Sequence, residues 1–117
     1  MNQQNDGGKM TYDLRYQEQS IGIITNVEKD FPSYCGHLVL HSDWAELLDE
    51  DALIMVSIGL GKVDENDLDK EQYASLCEWV METEDWTVVR LDDSTDSESQ
   101  IILPPAFRPN YVSWRFM

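Results

Sequence analysis

Hydrophobic and polar positions alternate over residues 11–16, with Tyr12, Leu14 and Tyr16 on one face. A period of two is the signature of a half-buried β-strand. The polar segment 17–20 then predicts a turn, and residues 21–27 (Ile-Gly-Ile-Ile-Thr-Asn-Val) predict a second strand. The short gap between them implies an antiparallel hairpin. Gly22, inside the second strand, marks either a bulge or a close approach of another backbone. Residues 28–36 read as a connection containing Pro32, and residues 37–41 (His-Leu-Val-Leu-His) as a third, short strand.

The period then becomes helical. Asp43, with Glu46 three residues later, makes a capping-box pattern, and Trp44, Leu47 and Leu48 supply an apolar face. The apolar run 52–60 stays open by length alone: it continues that helix, starts a second one or forms a buried strand. The acidic trio Asp49, Glu50 and Asp51 just before it favours a helix N-terminus, and Gly59 and Gly61 favour a stop. The strongest local pattern follows. Asp69 caps a helix over 70–82 with Gln72 at its third position, and Leu68 and Tyr73 are placed for a hydrophobic staple. Tyr73, Leu76, Cys77, Val80 and Met81 follow the i, i+3, i+4, i+7, i+8 spacing of one buried stripe.

Residues 86–91 (Trp-Thr-Val-Val-Arg-Leu) have strand composition, 92–98 form a polar loop, and 100–103 make another strand stopped by Pro104 and Pro105. Residues 111–116 close the series, with Val112, Trp114 and Phe116 on one face. The order βββ, α(α), βββ predicts an α+β domain over 11–117. Its mostly antiparallel sheet would pack against two or three central acidic helices. Residues 1–10 are polar and read as a flexible tail.

Composition supports a packed fold: 117 residues, 42% hydrophobic and 10% aromatic, suit one domain. Charge changes the picture more. There are 23 acidic side chains against 8 basic ones, a formal −15. That argues against direct contact with nucleic-acid phosphates or anionic lipid. The excess is also segregated: residues 43–98 hold 18 acids and 3 bases, and the rest of the chain is balanced at 5 and 5. Such a layer either keeps the helices solvated or presents an electrostatic footprint to a basic partner. No secretory leader pattern is visible in the first ten residues, and the longest apolar run is about half a bilayer span. Cys35 and Cys77 stand far apart in no CxxC pattern. Both read as reduced thiols of a cytoplasmic protein.

Candidate chemistry is sparse. Cys35, His37 and His41 form C-x-H-x3-H, but in a strand the two imidazoles lie about 13 Å apart, too far for one metal ion. Cys35 with either histidine could also be read as a nucleophilic pair. Residues 64–69 resemble a calcium loop but place Leu68 at a ligand position, and residues 92–97 have Ser97 where glycine is needed. No P-loop, GxGxxG, GxSxG or HExxH pattern is present, so no cofactor is implied. Trp79 lies off the predicted stripe and either widens the buried face or projects from it; an exposed Trp among acids would be a candidate binding anchor.

The segment Ile21-Gly22-Ile23-Ile24-Thr25-Asn26-Val27-Glu28-Lys29-Asp30-Phe31-Pro32, with Gly36 after it, resembles a pattern in small uncharacterised bacterial proteins. In that pattern an Ile-Gly strand precedes Asp-Phe-Pro and acidic helices, and a strand pair closes the chain. The resemblance implies a single α+β domain of bacterial cytoplasmic origin and carries no catalytic residue. In such a corner Phe31 would anchor in the core and Pro32 would fix the backbone.

These features point to a non-enzymatic, immunity-protein-like interaction protein for a basic partner. Its expected contact residues are Asp49, Glu50, Asp51, Glu78, Trp79, Glu82, Asp92, Asp93 and Asp96. Two other readings stand beside it: a DNA mimic that occupies a nucleic-acid-binding protein, and a small enzyme or ligand-binding protein with an aromatic pocket. A further reading is a component of a homodimer in which the acidic layer has no electrostatic role.

Overall fold

The computed structural model describes residues 10–91 and 98–117. The expected tail, except Met10, and most of the expected 92–98 loop lie outside them. The fold is α+β, built on one seven-stranded antiparallel sheet. The strands are β1 (Met10–Tyr16), β2 (Gln19–Asp30), β3 (Ser33–Leu40), β4 (Trp86–Arg90), β5 (Ser99–Ile101), β6 (Ala106–Arg108) and β7 (Tyr111–Trp114). Their order across the sheet is β5-β4-β1-β2-β3-β7-β6. Two α-helices, α1 (Glu50–Gly59) and α2 (Lys70–Glu82), stand between β3 and β4 in the chain.

The sheet curls back on itself. Ile102, just after β5, bridges to Phe116, just after β7. Leu103 N donates to Arg115 O, and Met117 N to Ile101 O. Two strand ends that the linear order leaves apart therefore meet. Closing the curl in this way removes unpaired backbone from both.

The interior follows from the alternation in the strands. Tyr12, Leu14 and Tyr16 of β1 are buried, as the period of two predicts. They meet Ile24, Leu38, Trp86, Val88, Ile102, Val112 and Trp114 from the neighbouring strands and their ends. Tyr16 packs 4.8 Å from Trp86, and Trp86 5.6 Å from Phe107, between ring centroids. Tyr12 and Tyr34 pack on Trp114 at 5.4 and 5.7 Å. Aromatic contacts at these distances hold the curled sheet together from within.

Several local expectations change. The β1–β2 turn needs only Gln17 and Glu18, both at positive φ, which matches the twist of a tight hairpin. The 28–36 connection is mostly strand: β2 and β3 continue as a paired hairpin out to Asp30 and Ser33. Its tip carries Phe31, which is 87% exposed and not a core anchor. A two-residue tip on a protruding hairpin has no sheet face to bury the ring against. Gly22 marks a close approach, since a Cβ there would sit 2.8 Å from Val39 O. The bulge lies further along, where the β2–β3 register shifts between Thr25 and Glu28 and Asn26 takes φ +51°.

The helix expected from Asp43 contracts to one 3-10 turn, Trp44–Leu47, and the Asp43 side chain makes no capping bond. The real cap is Asp49, whose carboxylate accepts from Ala52 N at the start of α1. The 52–60 run is thus helical. It ends in a Schellman motif: Lys62 N donates to Ser57 O, Gly61 N donates to Ile58 O, and Gly61 takes φ +78°. Helix α2 keeps its expected bounds, and both hydrogen bonds of the Asp69–Gln72 capping box are formed.

Candidate functional site

Helix α1 is apolar on nearly every side, from Ala52 to Leu60. Ala52 and Val56 face the sheet and are fully buried. Asp49 binds its N-terminus to the interior: it caps the helix through Ala52 N and also accepts from Tyr16 Oη at 2.7 Å. Burial pushes the Tyr16 phenol well above its ordinary range, and the Asp49 carboxylate beside it adds to the shift. Gly59 presses on β6, where a Cβ would meet Phe107 O at 2.5 Å. Met55 and Ile58 are left on the other side, half-buried.

Helix α2 does not bury the expected stripe. Of Tyr73, Leu76, Cys77, Val80 and Met81, only Leu76 is buried. Tyr73 is 49% and Met81 87% exposed. The inward face instead runs through Leu76, Trp79, Val80 and Thr83, rotated by roughly 80° about the helix axis. Trp79 draws it there. Its ring is half-buried, packs against the core and lies 6.4 Å from Tyr16. Of the two alternatives for Trp79, the structure shows the one in which it widens the buried face, as a strut between helix and sheet.

That rotation leaves an open apolar groove of about 430 Å³ between α1 and α2. Met55 and Ile58 form one wall, and Tyr73, Leu76, Cys77, Val80 and Met81 form the other. Glu65 is the charged member of the lining. Acids flank it. Asp51 stands four residues before Met55 on the same side of α1. Glu71, Glu78 and Glu82 form an exposed row along α2 at i, i+7 and i+11, on the outer side of the helix beyond Met81. Cys77 and then Glu65 raise the Tyr73 phenol above its ordinary value.

The expected contact residues divide accordingly. Glu78 and Glu82 are exposed on α2, and Glu50 is exposed at the start of α1. Asp51 is half-buried at the groove's end, and Asp49 is occupied by its cap and by Tyr16. Asp92, Asp93 and Asp96 lie outside the described residues.

Two other sites merit comparison. A second groove, of about 390 Å³, lies between β3 and the turn after α1, walled by Leu38, Leu40, Trp44 and Leu60. Lys62 Nζ stands 5.9 Å from the Trp44 ring there. Neither an acid nor a cysteine lines it. The third is a polar chain on the sheet's outer face that the sequence reading missed. Buried Asp13 accepts from Arg15 Nε at 2.7 Å and from Ser20 Oγ. Ser20 Oγ lies 2.9 Å from His41 Nε2. A hydroxyl has one proton. With that proton on Asp13, His41 must donate to Ser20 rather than accept from it. This inverts the order of a nucleophile–base–orienter relay, in which the carboxylate holds the imidazole. The chain ties β1, β2 and the end of β3 together. Its only sequence signal is that Asp13 and Arg15 share the face opposite Tyr12 and Leu14.

Among the described residues no group of His, Cys, Asp or Glu converges to hold a metal ion. Among them, too, no helix is long and apolar enough to cross a membrane. Comparison with protein-family models, curated proteins and solved structures finds no match to this chain.

Proposed function

We propose that the chain is an interaction module that binds a basic protein partner through the outer side of α1 and α2, in the manner of an immunity protein. The observation that carries this reading is the α1–α2 groove, where apolar side chains stay exposed beside Glu65 on two helices that carry further exposed acids. Exposed apolar surface rimmed by charge is the usual mark of a protein-binding site. The acids would steer a cationic partner to the groove and repel acidic competitors. The segregated charge of residues 43–98 supports the same reading.

The other readings have less behind them. A DNA mimic needs carboxylates gathered on one face, whereas exposed acids stand on both helices and on the β2–β3 hairpin. An aromatic-pocket enzyme needs a concave site with an acid or Cys35 in it. The aromatics of the described chain mostly pack against one another inside the sheet.

The test is affinity capture on the immobilised chain at low and at high salt, with bound proteins identified. The expected result is one enriched basic protein that is released by salt and lost on Glu78→Lys with Glu82→Lys. Enrichment of no basic protein, or capture indifferent to salt and to charge reversal, would sink the proposal.

A further inference from the structure

The groove also says what shape of partner it suits. We infer that its occupant is a single amphipathic basic helix of the partner, seated apolar side down between α1 and α2. This rests on the reading of the chain as a module for a basic partner, and it adds the occupant's secondary structure and register.

Backbone hydrogen bonding is the first argument. The groove walls are two helices, whose amides and carbonyls are bonded within themselves. They offer no strand edge to an extended segment. An extended chain laid there would press unpaired N–H and C=O groups against apolar side chains. A helix brings its own backbone bonds already made and offers only side chains, at i, i+3, i+4 and i+7.

The walls are the second argument. Met55 with Ile58 on the α1 wall, and Met81 with Tyr73 and Cys77 on the α2 wall, line the groove. Methionine is unbranched and polarisable, so it moulds around an incoming aliphatic residue with little strain. The rim is the third. Glu65 lines the apolar floor and Asp51 stands on the same side of α1, where Lys or Arg flanking a helix's apolar stripe would meet them; Glu78 and Glu82 add negative charge on the outer side of α2, beyond Met81. The same rim opposes a second copy, since a self-association on this face would set these acids against each other in a chain of charge −15.

Isothermal titration of the full chain with three peptides of roughly four helical turns tests this. The first has Leu at i, i+3, i+4 and i+7 with Lys elsewhere. The second has the same composition in strict alternation. The third replaces Lys by Glu in the first pattern. The helical Leu/Lys peptide is expected to bind, the alternating one at least about tenfold more weakly, and the Leu/Glu one not at all. Met81→Ser, on an 87% exposed side chain, should weaken the first peptide about tenfold while leaving the circular dichroism unchanged. Equal binding of both Leu/Lys peptides would overturn the helix and leave the basic-partner reading standing. Equal binding of the Leu/Glu helix would overturn both. Failure of all three to bind would overturn the helix. So would concentration-dependent dimerisation abolished by Met81→Ser, because the occupant would then be a second copy.

Discussion

Tyr16 and Tyr73 each belong to an apolar row, one on a strand and one on a helix, and they meet opposite fates. Tyr16 is fully buried, packed on Trp86 and hydrogen-bonded to Asp49. Tyr73 is half exposed at the lip of a groove. The difference lies in what covers each row. The curled sheet supplies a second and a third wall to its inner face, because strands far apart in the chain meet there. Helix α2 has the sheet on one side only, so its wide apolar arc must choose which part to bury. Apolar periodicity thus decides the fold inside the sheet. On α2 it is wider than the fold can use, and the surplus is available for binding.

The contrast is broken most severely at its buried end. Trp86→Ala removes the ring that joins Tyr16 to Phe107, and should cost about 3–5 kcal/mol in urea unfolding. Gly59→Ala comes next. Its Cβ would fall 2.5 Å from Phe107 O, a backbone atom that cannot swing aside, and about 1–3 kcal/mol should be lost as α1 is pushed off β6. Tyr16→Phe deletes the bond to Asp49 and should cost about 1.5 kcal/mol near neutral pH. The Tyr16 phenol is raised in the folded state, so there it keeps a proton that the unfolded chain gives up above about pH 10. Its stabilisation is complete below that value and is lost as pH rises further. The alkaline fall in unfolding free energy should therefore be shallower in Tyr16→Phe than in the natural chain. Met81→Ser lies at the other end of the scale. It should change stability by less than about 0.5 kcal/mol, because the fold does not use the side chain. A loss above 2 kcal/mol there would mean that the groove is closed in solution.

Legibility in the sequence follows the same division. Helix α2 was readable to its ends because its capping box is local chemistry, satisfied within four residues. Strand β1 was readable because alternation fixes both period and face; β2 was readable over 21–27 from its apolar run, but its extension past the bulge to Asp30 was not. The inward side of α2 was not readable. A wheel with apolar residues over a wide arc has two plausible centres, and only the position of Tyr16 selects the one through Trp79. Strand β6 was missed because it has three residues after two prolines, although Pro109 and Asn110, the latter at φ +62°, were a turn signal in plain view. Phe31 was misplaced because an apolar residue beside a proline says nothing about whether the hairpin tip reaches the core. Asp13, Ser20 and His41 looked unrelated because their proximity depends on strand pairing. Of the candidate site, the acids of α2 were visible as a charge excess, but the apolar groove beside them was not.

Methionine methyl resonances offer the most direct test of the claim that this surplus apolar surface is a binding site. Met55 and Met81 line the groove, whereas Met10 stands at the start of β1 and Met117 at the end of the chain, neither of them in the groove. On titration of the full chain with the helical Leu/Lys peptide, the Met55 and Met81 signals should shift together and saturate, while those of Met10 and Met117 stay in place. Shifts confined to Met10 and Met117, or no saturable shift at Met55 and Met81, would contradict it.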